Sequence, residues 1–168
     1  MARDLESLTL EFHNATSQLL ANCLELGIEM VPFCTLRSPQ AQAVLWRQSR
    51  SVAEVMEGIE RLRSGGAPWL AEVLDGVGPQ LGKGEVTKAL PGLSWHQWGE
   101  AVDCYWLRDG KAQWNGPGYD TYRLEAEKLG LTQVTWERVH VQLRKDGSPA
   151  KMFPMSEIDA IMKEKFGE

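Results

Sequence analysis

The residues of this chain best suited to chemistry are two histidines and an aspartate in its second half. Histidine is rare here, with only three in 168 residues. His96, Asp103 and His140 are residue types that bind zinc. A catalytic zinc site needs three protein ligands and an open position for water, and bound zinc lowers the pKa of that water toward about 7. These residues therefore raise the hypothesis of a zinc-dependent hydrolytic site.

A hydrolytic site of this kind also needs a general base, and Glu137 lies three residues before His140. On an extended strand, residues at these two positions point to opposite faces. A turn or bulge between them is therefore required if both serve one metal, and bulges are common near active sites. Similarly, a bend at Gly99 would allow His96 and Asp103 to approach each other.

The role of Asp103 is open at this level of reasoning. It lies in the apolar stretch AVDCYW, and burial of an unpaired carboxylate is costly. A metal, an arginine or backbone donors could each supply its partner. A single histidine near a strand is also often structural. The residue types alone therefore permit both a metal site and a structural arrangement.

Helical periodicity predicts the elements that surround these residues. Apolar residues at helical spacing predict a first helix with Asp4 as its N-cap and Gly27 as its end. Ser38 and Pro39 indicate the start of a second helix. The remaining helices are predicted over 52–63, the first part of 67–84, 119–131 and 156–166, the last capped by Ser156.

Alternating and apolar runs predict a small sheet between the early and late helices. The runs lie at 28–36, 85–90, 100–107, 111–114 and 134–143. Asp109-Gly110 between two short apolar runs indicates a β-hairpin. The pattern predicts an α+β fold with a small antiparallel sheet flanked by helices, organised as a single domain over 1–168.

Composition excludes several classes of protein. The formal net charge of −5 argues against nucleic-acid binding, which needs clustered cations. No segment approaches the roughly 20 apolar residues that span a bilayer, so membrane insertion is not expected. The N-terminal segment lacks the pattern of a secretory signal, which favours a cytoplasmic location. The three widely spaced cysteines indicate reduced thiols rather than a disulfide framework.

The segment SWHQWGEAVD, residues 94–103, resembles the S-x-H-x-x-G-x-A-x-D motif of zinc peptidases that cut peptidoglycan stem peptides. These are the D-alanyl-D-alanine carboxypeptidases, related dipeptidases and L-alanyl-D-glutamate endopeptidases. The resemblance implies a hedgehog/DD-peptidase-like fold and a bound Zn²⁺. It also implies that His96 and Asp103 are metal ligands and that Ser94 binds near the substrate.

Other segments resemble the same family. CTLRSPQAQAVLWRQSRS is similar to its substrate-binding arginine region, which implies that Arg37 contacts the substrate or its developing oxyanion. EVTKALPGLSWH is similar to the approach to the motif. EAEKLGL followed by WERVHVQL is similar to the closing segment, which implies that Glu137 is the catalytic base and His140 the third metal ligand.

The resemblance covers residues 28–50 and 85–143 and leaves 51–84 as an expected helical insertion. It departs at LTQVTWE, where many relatives carry Trp-Gly-Gly-x-Trp. It implies a peptidoglycan stem-peptide substrate and favours cleavage of the L-Ala–D-Glu bond, as in an endolysin released through a phage holin. A D-Ala–D-Ala carboxypeptidase or dipeptidase, and a non-catalytic metal-binding interaction module, are the alternatives.

Overall fold

A computed structural model describes residues 2–167, which form two compact units. One unit comprises the chain up to Leu36 together with Trp98–Gly147. The other comprises Arg37–Gln97 and the chain from Ser148 onward. The helices are α1 (Leu10–Glu25), α2 (Pro39–Trp46), α3 (Val52–Ser64), α4 (Pro68–Asp75), α5 (Trp95–Trp98), α6 (Gly118–Lys128) and α7 (Met155–Phe166), with a 3₁₀ turn at Pro149–Lys151.

The first unit contains an antiparallel sheet. Its strands are β1 (Glu29–Cys34), β2 (Ala101–Arg108), β3 (Lys111–Gln113), β4 (Thr132–Gln133) and β5 (His140–Gln142). The order is β1-β2-β5-β4, and β3 pairs with β2. Asp109 and Gly110 have φ values of 51° and 70°, the left-handed geometry that a tight hairpin requires. The predicted α+β class with a small antiparallel sheet is thus confirmed, and so is the hairpin.

The core of the first unit lies between this sheet and the helices α1 and α6. Phe12 and Leu19 on α1 are fully buried, as are Tyr119 and Tyr122 on α6. Trp106 on β2 packs against the backbone of α6, where a Cβ added to Gly118 would lie 2.5 Å from the indole ring. This core fixes β2, the strand that carries Asp103.

In the second unit, side chains cap the N-termini of α2, α3 and α4. The Ser38 hydroxyl accepts from the Ala41 N–H at 3.1 Å, so the predicted start of α2 is confirmed. Ser51 and Glu54 form a capping box on α3. Asp159 on α7 accepts from the backbone N–H of Trp69 and of Leu70 in the first turn of α4. The segment 51–84 contains α3 and α4, and its description as an insertion stays a prediction.

Two predicted helix starts and one predicted strand were wrong for local reasons. α1 begins at Leu10, because Asp4 instead accepts from the Ser7 N–H in a preceding turn. Residues 85–90 form no strand, because the carbonyls of Thr87 and Ala89 accept hydrogen bonds from side chains. α7 begins at Met155, after Pro154, so Ser156 lies inside its first turn.

No helix in the described part of the chain is both long enough and apolar enough to cross a membrane.

Candidate active site

Asp103 and His140 form a buried pair in the first unit. They are register partners on β2 and β5, and Asp103 Oδ1 lies 2.9 Å from His140 Nδ1. The two residues are 6% and 9% exposed, respectively. Thirty-seven positions separate them in sequence. The fold thus brings together two of the three predicted metal ligands, and their roles as ligands stay predictions.

The second ring nitrogen of His140 contacts a glutamine of the same strand. His140 Nε2 lies 3.1 Å from Gln142 Oε1, and Gln142 is 2% exposed. Residues two apart on a strand share a face, which accounts for the contact. Sequence reasoning missed Gln142, although its spacing from His140 was a usable signal.

Cys34 is a second residue that sequence reasoning missed. It pairs with Asp103 across β1 and β2, next to an irregular register at Pro32. The Cys34 sulfur and a carboxylate oxygen of Asp103 lie within 4.8 Å of each other. As a thiolate, Cys34 would offer a further metal donor beside Asp103. Its position at the end of an apolar run made it look like a core residue only.

Cys104 follows Asp103 on β2 and therefore points to the opposite face of the sheet. Cys104 is fully buried in the core, and burial raises the pKa of its thiol to about 12. The thiol therefore stays protonated near neutral pH, in a state that does not bind metal. All three cysteines are buried and form no disulfide, as the sequence predicted.

Glu137 lies in an irregular segment rather than on a strand. Its carbonyl accepts from the His140 N–H at 3.3 Å, which closes a turn over residues 137–140, and its side chain is exposed. The prediction of a continuous strand over 134–143 was therefore wrong. The turn removes the alternation that would have sent Glu137 and His140 to opposite faces. The role of Glu137 as a base stays a prediction.

The second unit contains Arg37, Ser94 and His96. His96 is buried in α5, and its carbonyl accepts from the Arg37 N–H at 3.1 Å. The Arg37 guanidinium donates from Nη1 to Gln42 Oε1 at 2.9 Å. The two predicted functional residues Arg37 and His96 are therefore joined by a backbone hydrogen bond.

Two buried glutamines hold this part of the second unit. Gln97 Oε1 accepts from the backbone N–H of Gly92 and of Ser94, and Gln97 Nε2 donates to Gln42 Oε1 at 3.1 Å. Gln42 Nε2 in turn donates to the Ala89 carbonyl at 2.7 Å. This network fixes the loop before α5 and aims the Arg37 side chain. The functional roles of Arg37, Ser94 and His96 stay predictions.

The donor atoms fit zinc in their chemistry. Imidazole nitrogen, carboxylate oxygen and thiolate sulfur are the three ligand types that zinc prefers. His140, Asp103 and Cys34 supply one of each in the first unit, and His96 supplies a second imidazole from the other predicted ligand segment. Asp103 and His140 are buried together on neighbouring strands. A cation bound by both side chains would offset the cost of burying the Asp103 carboxylate.

Comparison with known proteins gives one family. A model of the family described as VanY, D-alanyl-D-alanine carboxypeptidase, matches residues 5–136, more than half of the chain. No curated protein matches the chain in sequence. One similar solved structure is the crystal structure of the Serratia marcescens L-Ala D-Glu endopeptidase ChiX. That likeness has 16% sequence identity, covers 85% of this chain and 87% of that chain, and has a TM-score of 0.41.

Proposed function

Because the chain belongs to the VanY family of D-alanyl-D-alanine carboxypeptidases, we propose that it is a zinc-dependent peptidase acting on peptidoglycan stem peptides. The observation that carries the proposal is the buried contact between Asp103 and His140. Because the family match ends at residue 136, this contact supports His140 independently of that match. The proposed ligands are His96, Asp103 and His140.

When bound by these residues, zinc supplies Lewis acidity toward the scissile carbonyl and lowers the pKa of water. Glu137 takes the proton of the attacking water and delivers it to the leaving amine. Its exposed carboxylate on a turn, rather than in the core, supports this role. A carboxylate that shuttles a proton needs access to water and substrate, and this position offers it.

Arg37 binds a substrate carboxylate or the oxygen on which charge develops. Its guanidinium is directed by Gln42, so a fixed donor fork is available without reordering a long side chain. Ser94, whose backbone N–H is held by Gln97, lies beside the ligand His96 in sequence and binds the substrate near it. These assignments follow the motif and are supported by the hydrogen bonds that hold both segments.

The bond favoured is L-Ala–D-Glu, on the resemblance of EVTKALPGLSWH to the endopeptidases. Cleavage of D-Ala–D-Ala is a second candidate, favoured by the family that the chain matches. An endolysin released through a phage holin is the setting that fits the first activity.

Digestion of purified muropeptides, read by mass spectrometry with and without chelator, tests the proposal. We expect products cut after L-Ala, lost on chelation and restored by Zn²⁺. Products lacking only the terminal D-Ala would establish the second candidate. His96→Ala and Asp103→Ala should lose both bound zinc and turnover. Intact muropeptides from a zinc-loaded protein would contradict the peptidase assignment and leave a metal-binding interaction module.

A further inference from the structure

We propose that Gln142 is a positioning residue that fixes the tautomer of His140, so that His140 uses Nδ1 toward the metal. The inference rests on the proposed zinc site and deepens it. The observations are four contacts in the first unit. Gln142 Oε1 lies 3.1 Å from His140 Nε2, and Asp103 Oδ1 lies 2.9 Å from His140 Nδ1. Gln142 Nε2 donates to the carbonyls of Arg144 and Asp146 at 2.6 and 2.9 Å.

The two carbonyl contacts decide which way the Gln142 amide points. If the amide were reversed, its oxygen would face two carbonyl oxygens, and three acceptors would meet with no proton among them. The amide nitrogen must therefore face the Arg144 and Asp146 carbonyls. It follows that the amide oxygen faces His140.

The orientation of Gln142 decides the tautomer of His140. An amide oxygen only accepts, so the nitrogen that faces it must carry the proton. His140 Nε2 is therefore the N–H donor, and the neutral ring has its lone pair on Nδ1. His140 Nδ1 lies 2.9 Å from Asp103 Oδ1, so the two atoms need a proton or a metal cation between them, and a bound metal would be shared by both. Partners of this kind orient histidine ligands and raise metal affinity.

The local structure makes this arrangement rigid. Gln142 is on the central strand β5, register-paired with Ala101 on one side and Thr132 on the other. Its amide is held by the loop that leaves β5, and that loop is anchored by Arg144, which donates two hydrogen bonds of 2.7 Å to the buried Glu100 carboxylate. The observed rotamer of Gln142 makes contacts with both ends of its amide.

The wild-type protein provides the primary test. In protein loaded with ¹¹³Cd²⁺ in place of zinc, we expect scalar coupling from cadmium to His140 Nδ1. We also expect a slowly exchanging proton on Nε2. Coupling to Nε2 would overturn the inference while leaving the zinc site intact. No coupling to either nitrogen would overturn the ligand role of His140 in the proposed function, and the inference with it.

Variants supply the second test. Gln142→Leu should lower zinc affinity about 10–100-fold in competition with a chelating dye, because the ring loses its outer partner. Gln142→Glu keeps an acceptor for Nε2–H but turns its second oxygen toward the Arg144 and Asp146 carbonyls, so it should recover only part of that affinity. Gln133→Leu is the matched control, since Gln133 lies opposite Val141 on β4 and contacts Arg123 rather than His140. Unchanged affinity in folded Gln142→Leu protein would overturn the inference.

Discussion

At the scale of single residues, the proposed base and the proposed ligand differ in burial. His140 is buried and bound at both ring nitrogens, whereas the Glu137 side chain is exposed on a turn. Replacement of Glu137 should therefore affect proton transfer without disturbing the fold or the ligands. Substitution of Glu137 therefore tests catalysis separately from metal binding.

Glu137→Gln should retain zinc and lower kcat by about 10²–10⁴-fold, because the amide cannot take the proton of water. Metal content by atomic emission and single-substrate kinetics measure the two effects. Glu127→Gln, at another exposed position in the same unit, is the control and should behave as wild type. A Glu137→Gln protein with full peptidase activity would remove this residue from the mechanism.

The buried thiols should resist alkylation. Burial raises the pKa of Cys104 to about 12 and that of Cys23 to about 11, so very little reactive thiolate exists at pH 8. We expect iodoacetamide to label neither residue in the native protein at pH 8, and to label both in denaturant. Mass spectrometry of tryptic peptides provides the measurement. Rapid labelling of native Cys104 would show that the core opens on the timescale of the reaction.

The same burial predicts the sign of a change in stability with pH. The thiol of Cys104 holds its proton more tightly in the folded protein than its ordinary pKa of 9.0 allows. Above about pH 9 the unfolded chain loses that proton first, so the free energy of unfolding falls as pH rises toward the folded pKa. Urea unfolding at pH 8 and pH 10 tests this, and Cys104→Ala should reduce the difference.

At the scale of elements, α4 depends on a cap from another helix. Its own N-cap residue, Ala67, has no side chain that accepts a hydrogen bond, and Asp159 on α7 accepts from two N–H groups instead. Asp159→Ala should lower the free energy of unfolding by about 0.5–2 kcal/mol. Asp159→Asn, which keeps one acceptor oxygen, should lose less. Equal losses in both variants, measured by urea denaturation, would exclude the cap as the cause.

Local sequence signals predicted the structure correctly where a pair of residues restricts the backbone to one geometry. Ser38 followed by Pro39 gave the start of α2, and Asp109-Gly110 gave the hairpin. Both pairs constrain the backbone by themselves. The start of α1 was wrong because Asp4 can cap a turn as well as a helix, and only packing of the following residues separates the two.

Alternation was less reliable around the candidate site. The run 134–143 alternates, yet only its residues 140–142 form a strand. β4 ends at Gln133, before the run begins, and turns lie between the two strands. The turn closes through a backbone hydrogen bond to the Glu137 carbonyl, which the pattern of apolar residues does not predict. Cys34 was missed for a related reason, since its importance arises from Asp103 on the adjacent strand. Pairing of distant segments cannot be read from a local pattern.

At the scale of the whole molecule, bound zinc should stabilise the fold. A metal at 100 times its Kd adds about 2.7 kcal/mol, which for a chain of this length corresponds to roughly 5–10 °C in Tm. Chelation should lower Tm by that amount in calorimetry, and added Zn²⁺ should restore it. His140→Ala should show no response to chelator, whereas His13→Ala, on α1, should respond as wild type. A wild-type Tm that ignores chelator would argue against the metal site.

The turn that carries Glu137 also has a practical consequence. Because its side chain lies outside the core, exchanging it for glutamine should yield a folded protein that still grips an uncleaved stem peptide. A crystal structure of this variant with an intact stem peptide would show which peptide bond lies at the proposed zinc site.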